Sequence, residues 1–309
     1  MLYSTVTPEQ KRAALRSLLV PGAARQFPGA FNPLSARLIE EKGFDGVYIS
    51  GAVLANDLGL PDIGLTTLTE VAQRAGQIAR MTDLPSLVDA DTGFGEPMNV
   101  ARTIQELEHA GLAGCHIEDQ FNPKRCGHLD GKNVVGLDTA VQRIAAAADA
   151  RRDANFLVMA RTDVRAVDGL DAAIGRAKAL VDAGADAIFP EAMRDVSEFA
   201  AVCAAVDVPV LANMTEFGKS DLFTRRQLAD AGVAMVIYPV TLLRSAMGAA
   251  ERTLDAIAAH GTQESEVPNM LTRVRLYELV DYEAYNRFDT GIFNFQVPGL
   301  DIDGNNANP

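Results

Sequence analysis

An α/β barrel of eight parallel strands, (β/α)8 of the TIM type, is the fold class this sequence predicts. Three observations predict it. Eight short apolar runs recur along the chain, an amphipathic stretch separates most neighbouring runs, and four of those stretches end in glycine just before the next run. The runs cover 25–32 (the weakest), 45–50, 86–91, 114–119, 156–161, 186–191, 209–214 and 234–239. They are rich in Val, Ile, Leu and Ala, and several lack polar alternation, as strands buried on both faces do. The stretches 34–43, 68–83, 99–111, 138–153, 170–184, 196–207 and 224–232 carry apolar residues at three- and four-residue spacing, which predicts helices. Gly43, Gly111, Gly184 and Gly232 stand where a helix ends in the left-handed conformation, and Asp138 and Ser197 where helices begin. A doubly wound open sheet competes, but no GxGxxG follows the first strand.

Two further helices are expected after the eighth strand, over 241–261 and 270–288. The expected organisation is therefore one domain over 1–309: a barrel over about 12–261, a C-terminal helical extension over about 262–290, and a flexible Gly/Asn/Pro-rich tail over 291–309. A barrel of this kind needs roughly 250 residues, which the chain supplies. Its net charge of -13 argues against nucleic acid or an anionic membrane as partner. No apolar run approaches the roughly 18–20 residues of a membrane span, and the charged first residues do not read as a signal peptide. Cys115, Cys126 and Cys203 are odd in number and form no CxxC pair, which points to a reducing cytoplasm.

Barrels of this type carry their reactive groups where strands end. Those ends read Tyr48 to Gly51, Asp89 and Asp91, Glu118 and Asp119, Arg161 to Asp163, Glu191, and Asn213 to Glu216. Asp89, Asp91 and Glu118 converging without a partner would repel: two like charges 4 Å apart cost on the order of 4 kcal/mol at an effective dielectric of 20. A divalent cation with oxygen ligands, Mg2+ above all with Mn2+ able to replace it, resolves this. Helix capping, or pairing with Arg161 and Lys124, is the alternative. The loop after the fourth strand, 121–137, is long enough for a lid. In it Lys124, Arg125 and His128 surround Cys126; nearby cations make a thiol reactive, and an inert exposed cysteine is the alternative. His109 and His260 read as solvated, while the direction of His116 stays open. GxSxG, HExxH and GxxxxGK[ST] are all absent.

These residues resemble the isocitrate lyase and phosphoenolpyruvate mutase superfamily. KRCGH (124–128) is the signature of its lyase branch. YISG, LGLPDIG, LVDADTGFG, HIEDQ, MARTD, FPEA, LANMTEFG and TRVRLYE follow the order and spacing of the 2-methylisocitrate lyases within it, over roughly 12–290. The resemblance implies retro-aldol-type cleavage of 2-methylisocitrate to pyruvate and succinate. It implies Asp89 as direct Mg2+ ligand, with Asp62, Asp91 and Glu118 holding the ion's waters. It also implies that Tyr48, Ser50, Gly51 and Arg161 bind the α-oxo acid, with Tyr48 one candidate for the initiating base. Cys126 would be the general acid, supported by Lys124, Gly127 and His128. Glu191, Asn213, Thr215 and Arg273 would meet the succinate-side carboxylates. Phe189 and Ile237 would line the methyl pocket, with ordinary barrel core as their other reading.

The superfamily also implies a homotetramer in which a C-terminal helix packs on, or is exchanged with, a neighbouring subunit. The 270–288 stretch is the candidate, and packing on its own barrel the alternative. Ala52, Thr92 and Leu129 to Gly131 depart from the usual pattern. Isocitrate lyase and oxaloacetate hydrolase are rival activities, phosphonomutases lack the cysteine, and a non-catalytic barrel scaffold is the rival of another class.

Overall fold

The computed structural model describes residues 4–124, 133–218 and 220–293. Its elements run α1 (Pro8–Leu18), β1 (Arg25–Pro28), α2 (Pro33–Glu41), β2 (Val47–Ile49), α3 (Gly51–Asp57), α4 (Leu68–Ala79), β3 (Ser86–Asp89), α5 (Pro97–His109), β4 (Gly114–Glu118), α6 (Leu137–Ala150) and β5 (Leu157–Thr162). There follow α7 (Arg165–Asp168), α8 (Leu170–Asp182), β6 (Ala187–Pro190), α9 (Val196–Ala205), β7 (Leu211–Asn213), α10 (Arg225–Asp230), β8 (Met235–Tyr238) and α11 (Thr241–His260). A 3-10 turn (Glu264–Asn269), α12 (Arg273–Leu279) and α13 (Tyr282–Phe293) close the described chain.

All eight expected strands are present and pair in parallel. β2 to β6 form one continuous ladder, and β1, β8 and β7 form another. Single bridges, Gly29 with Tyr48 and Ile188 with Val210, join the two into a TIM-type barrel. Alternation along each strand divides two cores. Outward residues such as Val88, Cys115, Ile117 and Val158 pack under the helices. Inward residues such as Phe27, Leu87, Met159, Phe189 and Ile237 fill the lumen, and Leu15 of α1 and Leu19 just after it pack in the same cluster. Burying one such leucine contributes about 1.5–3 kcal/mol.

Local signals mostly act where expected. Gly43, Gly111, Gly184 and Gly232 all have positive φ at helix ends. Asp195, not Ser197, caps α9, and its carboxylate accepts the Ser197 and Glu198 N–H groups. Asp138 lies in the first turn of α6, after Gly136. α1 and α3 were not foreseen, although Thr7 and Gln10 form a reciprocal capping box ahead of α1. The expected 270–288 helix is two helices, because Asp281 takes φ 54 between α12 and α13. α12 packs on its own barrel: Arg37 Nε donates to Leu279 O at 2.6 Å, and Arg275 pairs with Glu41. α11, by contrast, has no buried residue. Helix extends to residue 293 where tail was expected, and 294–309 lie outside the described residues.

The N-terminal segment is clasped by one carboxylate. Asp83 accepts from Ser4 Oγ at 2.6 Å and from the N–H groups of Thr5 at 2.7 Å and Val6 at 3.2 Å. Burial pushes its pKa up, but the bonds from Ser4, Val6 and Thr5 outweigh that and bring it down to about 2. A depressed carboxyl stabilises the fold above its ordinary pKa, and the contribution is lost as pH falls through the depressed value. Asp83→Asn is therefore expected to cost about 1–2 kcal/mol at neutral pH. The difference from wild type should shrink as pH falls toward about 2. Denaturant unfolding across pH measures this, and a pH-independent gap would refute it.

Candidate functional site

The C-terminal strand ends open into a cavity of about 770 Å³. Tyr48, Ser50, Asp62, Asp89, Lys124, Arg161, Phe189, Glu191, Asn213 and Thr215 all line it, as the strand-end argument expects. Four non-glycine residues at this end, Asp91, Phe94, Ala192 and Phe217, take positive φ of 47, 59, 59 and 60. Such backbone costs about 1–2 kcal/mol per residue, and stored strain of this kind gathers at functional sites.

Arg161 organises the centre of the mouth. Its Nε donates to Asp163 Oδ2 at 3.0 Å and its Nη2 to Asp163 Oδ1 at 3.3 Å. Nη1 lies 3.3 Å from Glu118 Oε2, and Nη2 lies 3.4 Å from Glu191 Oε2. Its guanidinium sits 5.1 Å from the Phe189 ring centroid. Asn213 Nδ2 donates to Glu191 Oε2 at 3.3 Å, linking β6 to β7. Arg244, in the first turn of α11, donates through Nη1 to Thr215 Oγ1 at 3.1 Å and Glu216 Oε2 at 2.9 Å.

The acidic wall is compensated by protein cations. Lys124 Nζ pairs with Asp62 and lies 2.7 Å from Asp91 Oδ1. Burial opposes its charge, but Glu118, Asp91, Asp89 and Asp62 outweigh burial and raise its pKa. Burial lifts Asp91 to about 6 against the pull of Lys124, and lifts Glu118 well above the carboxylate range. Among the described residues no three acidic or imidazole side chains converge on one point. Asp62 and Asp91 thus pair with Lys124, and Glu118 faces Arg161, while among these residues Asp89 has neither cation as an ion-pair partner.

The wall nevertheless fits an ion held by one or two carboxylates and completed by water and substrate. Among the described residues, neither Glu118 oxygen has a hydrogen-bond partner, although both are buried. Gly51 N donates to Asp89 Oδ2 at 3.3 Å. A Cβ at Gly51 would fall 2.9 Å from that oxygen, so only glycine leaves Asp89 in place.

Beneath this wall, His116 proves to point into the lumen and is fully buried. Its Nε2 lies 2.7 Å from Tyr48 Oη. Burial raises the Tyr48 phenol and lowers His116 to about 4, which keeps both neutral.

Two expectations are corrected. Ile237 packs inside the barrel with Phe27, Leu211 and Met235 and does not line the cavity; its other reading, barrel core, holds. Arg273 is exposed and lies away from its own mouth. The next turn of α12 pairs Arg275 with Glu41, at the end of α2 opposite the strand ends. Cys126, Gly127 and His128 lie outside the described residues. The loop that carries them is pinned at its base, where Gln120 and Val134 form an antiparallel bridge. Arg244 was missed as a site residue, and Asp163 was named only as part of a polar strand end, without a role. The position of Arg244 directly after the eighth strand is the signal that finds it.

Comparison with known proteins agrees with this geometry. Residues 15–258 match the family described as phosphoenolpyruvate phosphomutase. A probable 2-methylisocitrate lyase 2 of Corynebacterium glutamicum is 61% identical over 297 residues, covering 96% of this chain and 97% of that protein. The structure of oxaloacetate acetylhydrolase with the inhibitor 3,3-difluorooxalacetate superposes with a TM-score of 0.87 at 36% identity, covering 92% of this chain and 98% of that one. A phosphonopyruvate hydrolase complex with oxalate and Mg2+ superposes at 0.82 with 28% identity, covering 92% of this chain and 99% of that one.

Proposed function

The chain belongs to the phosphoenolpyruvate phosphomutase family, and on that premise we propose that it is a Mg2+-dependent carbon–carbon lyase cleaving 2-methylisocitrate to pyruvate and succinate, in the methylcitrate cycle of propionate catabolism. One observation carries the reading: the cavity is lined by carboxylates at β3 and the segment before it, and by amide, hydroxyl and guanidinium groups at β7 and α11, with Arg161 on β5, between β3 and β7 in the barrel order. Asp89 and Asp62 belong to the first set, and Asn213, Thr215 and Arg244 to the second. A substrate with carboxylates at both ends fits that division, despite the chain's net charge of -13.

Asp89 would hold the ion, with Asp62, Asp91 and Glu118 beside it, and Mn2+ would serve equally. When bound, the ion would supply Lewis-acid stabilisation of the oxyanion formed on the substrate. Ser50, Gly51 and Arg161 hold the half that leaves as pyruvate, and Tyr48 takes up the hydroxyl hydrogen as its own hydrogen passes to His116 Nε2, 2.7 Å away. The carbon–carbon bond breaks with its electron pair on the succinate half. Glu191, Asn213, Thr215 and Arg244 surround the carboxylates where that charge grows. Cys126, flanked by Lys124, Gly127 and His128, protonates the carbanion.

The site is completed in a homotetramer, where α11 meets a neighbouring barrel. Arg273 reaches substrate only from a neighbouring chain. A native mass near one chain would refute this assembly. The protein works in the cytoplasm; among the described residues no helix is long and apolar enough to cross a membrane.

The test is product analysis with Mg2+ and either 2-methylisocitrate or isocitrate. Phe189 offers the apolar contact for the extra methyl, so pyruvate is expected to form about 10- to 200-fold more efficiently than glyoxylate. Glyoxylate as main product would make the chain an isocitrate lyase. The likeness to oxaloacetate acetylhydrolase supports a second reading, which oxalate release from oxaloacetate with neither other product would establish.

A further inference from the structure

Tyr48 and His116 meet beneath the mouth. Their ring planes are within 8° of parallel with centroids 5.8 Å apart, and Tyr48 Oη lies 2.7 Å from His116 Nε2. Phe189 packs against the imidazole at 84°, its centroid 5.2 Å away. The imidazole is thus held at Nε2 by one neighbour and braced on a face by the other. Its remaining nitrogen, Nδ1, is buried and has no hydrogen-bond partner among the described residues. It faces Asp89, 3.8 Å from Oδ1.

A neutral imidazole carries one hydrogen, and its partner decides which nitrogen bears it. A lone pair on Nδ1 would face the Asp89 carboxylate in a buried, poorly screened place. A hydrogen there faces it favourably. Nε2 is then the acceptor, and the Tyr48 hydroxyl must be the donor between them.

We propose that His116 is a positioning residue that turns the Tyr48 hydroxyl hydrogen away from the cavity, so that the phenol oxygen presents only lone pairs to the substrate. This rests on the lyase reading, in which the substrate's hydroxyl hydrogen must be taken up; the phenol oxygen takes it as the phenol's own hydrogen passes to His116 Nε2. A phenol free to rotate would at times donate to the substrate's hydroxyl oxygen and leave that hydrogen without an acceptor. Phe189 thereby has two roles: it walls the cavity and holds the ring that orients Tyr48.

The decisive experiment is 15N NMR of the imidazole rings in the wild-type protein. The His116 signals are expected to show a hydrogen on Nδ1 and an unprotonated Nε2; the opposite tautomer overturns the proposal. Kinetics gives a second arm. His116→Phe keeps the packing and removes the acceptor, and kcat is expected to fall about tenfold to a hundredfold with little change in KM. His116→Gln, whose side-chain oxygen reaches the Nε2 position, should recover part of that loss. Adding Tyr48→Phe to His116→Phe should cost nothing further, because the hydroxyl is already misdirected. Losses that multiply would overturn the proposal. If the wild type cleaves neither 2-methylisocitrate nor isocitrate, the lyase reading falls, while the tautomer still decides the geometry of the pair.

Discussion

Arg161→Ala is expected to release no measurable pyruvate and to unfold on the order of 10 °C below wild type. The argument is one of charge balance. Arg161 is the cation that Glu118, Asp163 and Glu191 share, and all four side chains are buried. Removing one partner of a buried ion pair costs about 3–5 kcal/mol, because the charge left behind is uncompensated. Here three carboxylates are left, with Asn213 and backbone groups to absorb only part of the deficit. The loss should shrink as pH falls. Uncompensated buried carboxylates take up protons in the folded state before they do in the unfolded state, so folding gains stability on acidification. Arg161→Lys should fall between, since one ammonium cannot reproduce the two-pronged bond to Asp163 while also facing Glu118 and Glu191. Thermal unfolding beside pyruvate release measures both effects. An alanine variant of wild-type stability would show that the carboxylates are neutral without Arg161 and would undo this account.

The second large effect falls on turnover alone. Cys126→Ser is expected to lower kcat by about 10²–10⁴, the usual worth of a positioned acid. Mg2+-dependent binding of substrate, read by calorimetry, should persist. A serine hydroxyl is a far weaker acid than a thiol and cannot quench the carbanion at a comparable rate. The basic neighbours Lys124, Arg125 and His128 raise a difficulty, because cations favour thiolate and an acid must hold its proton. The geometry eases it: the Lys124 ammonium is already engaged by Asp62 and Asp91. Its charge is largely spent on the acidic wall. Full turnover in the serine variant would remove Cys126 from the role.

The barrel was legible because parallel strands buried on both faces read as uninterrupted apolar runs, and glycines mark where helices end. The same burial hid the direction of His116. Cys115, His116 and Ile117 are all fully or almost fully buried, so no exposed neighbour reveals which way the strand alternates. Only the closed barrel separates lumen from helix side. Ile237 was misjudged for a related reason. Position 237 is as apolar and as buried as position 189, and the depth of each within the lumen depends on strand stagger, which no run of residues displays. Asp89, Asp91, Asp62 and Glu118 were identified as a wall of acid. Pairing with Lys124 was one of the readings weighed, but that Lys124 would bridge Asp62 and Asp91 could not be read off, because it joins residues 62 positions apart. Arg244 escaped because its helix pattern masked a position at the mouth. Arg273 was assigned by resemblance to a site that its own chain does not let it reach.

α11 is the eighth helix of the barrel, yet it buries none of its residues, and Met247, Leu254 and Ile257 stand 61%, 65% and 42% exposed. Under the assembly proposed above, each barrel borrows its last stave from another molecule. Folding and association then become one equilibrium, and the melting point becomes a function of how much protein is present. Tenfold dilution should lower it, whereas a self-sufficient barrel would melt at one temperature whatever its concentration. A cell making few copies would hold chains with a bare apolar stripe on α11. The supply of partners, as much as the sequence of any one chain, would then set how long a newly made chain survives.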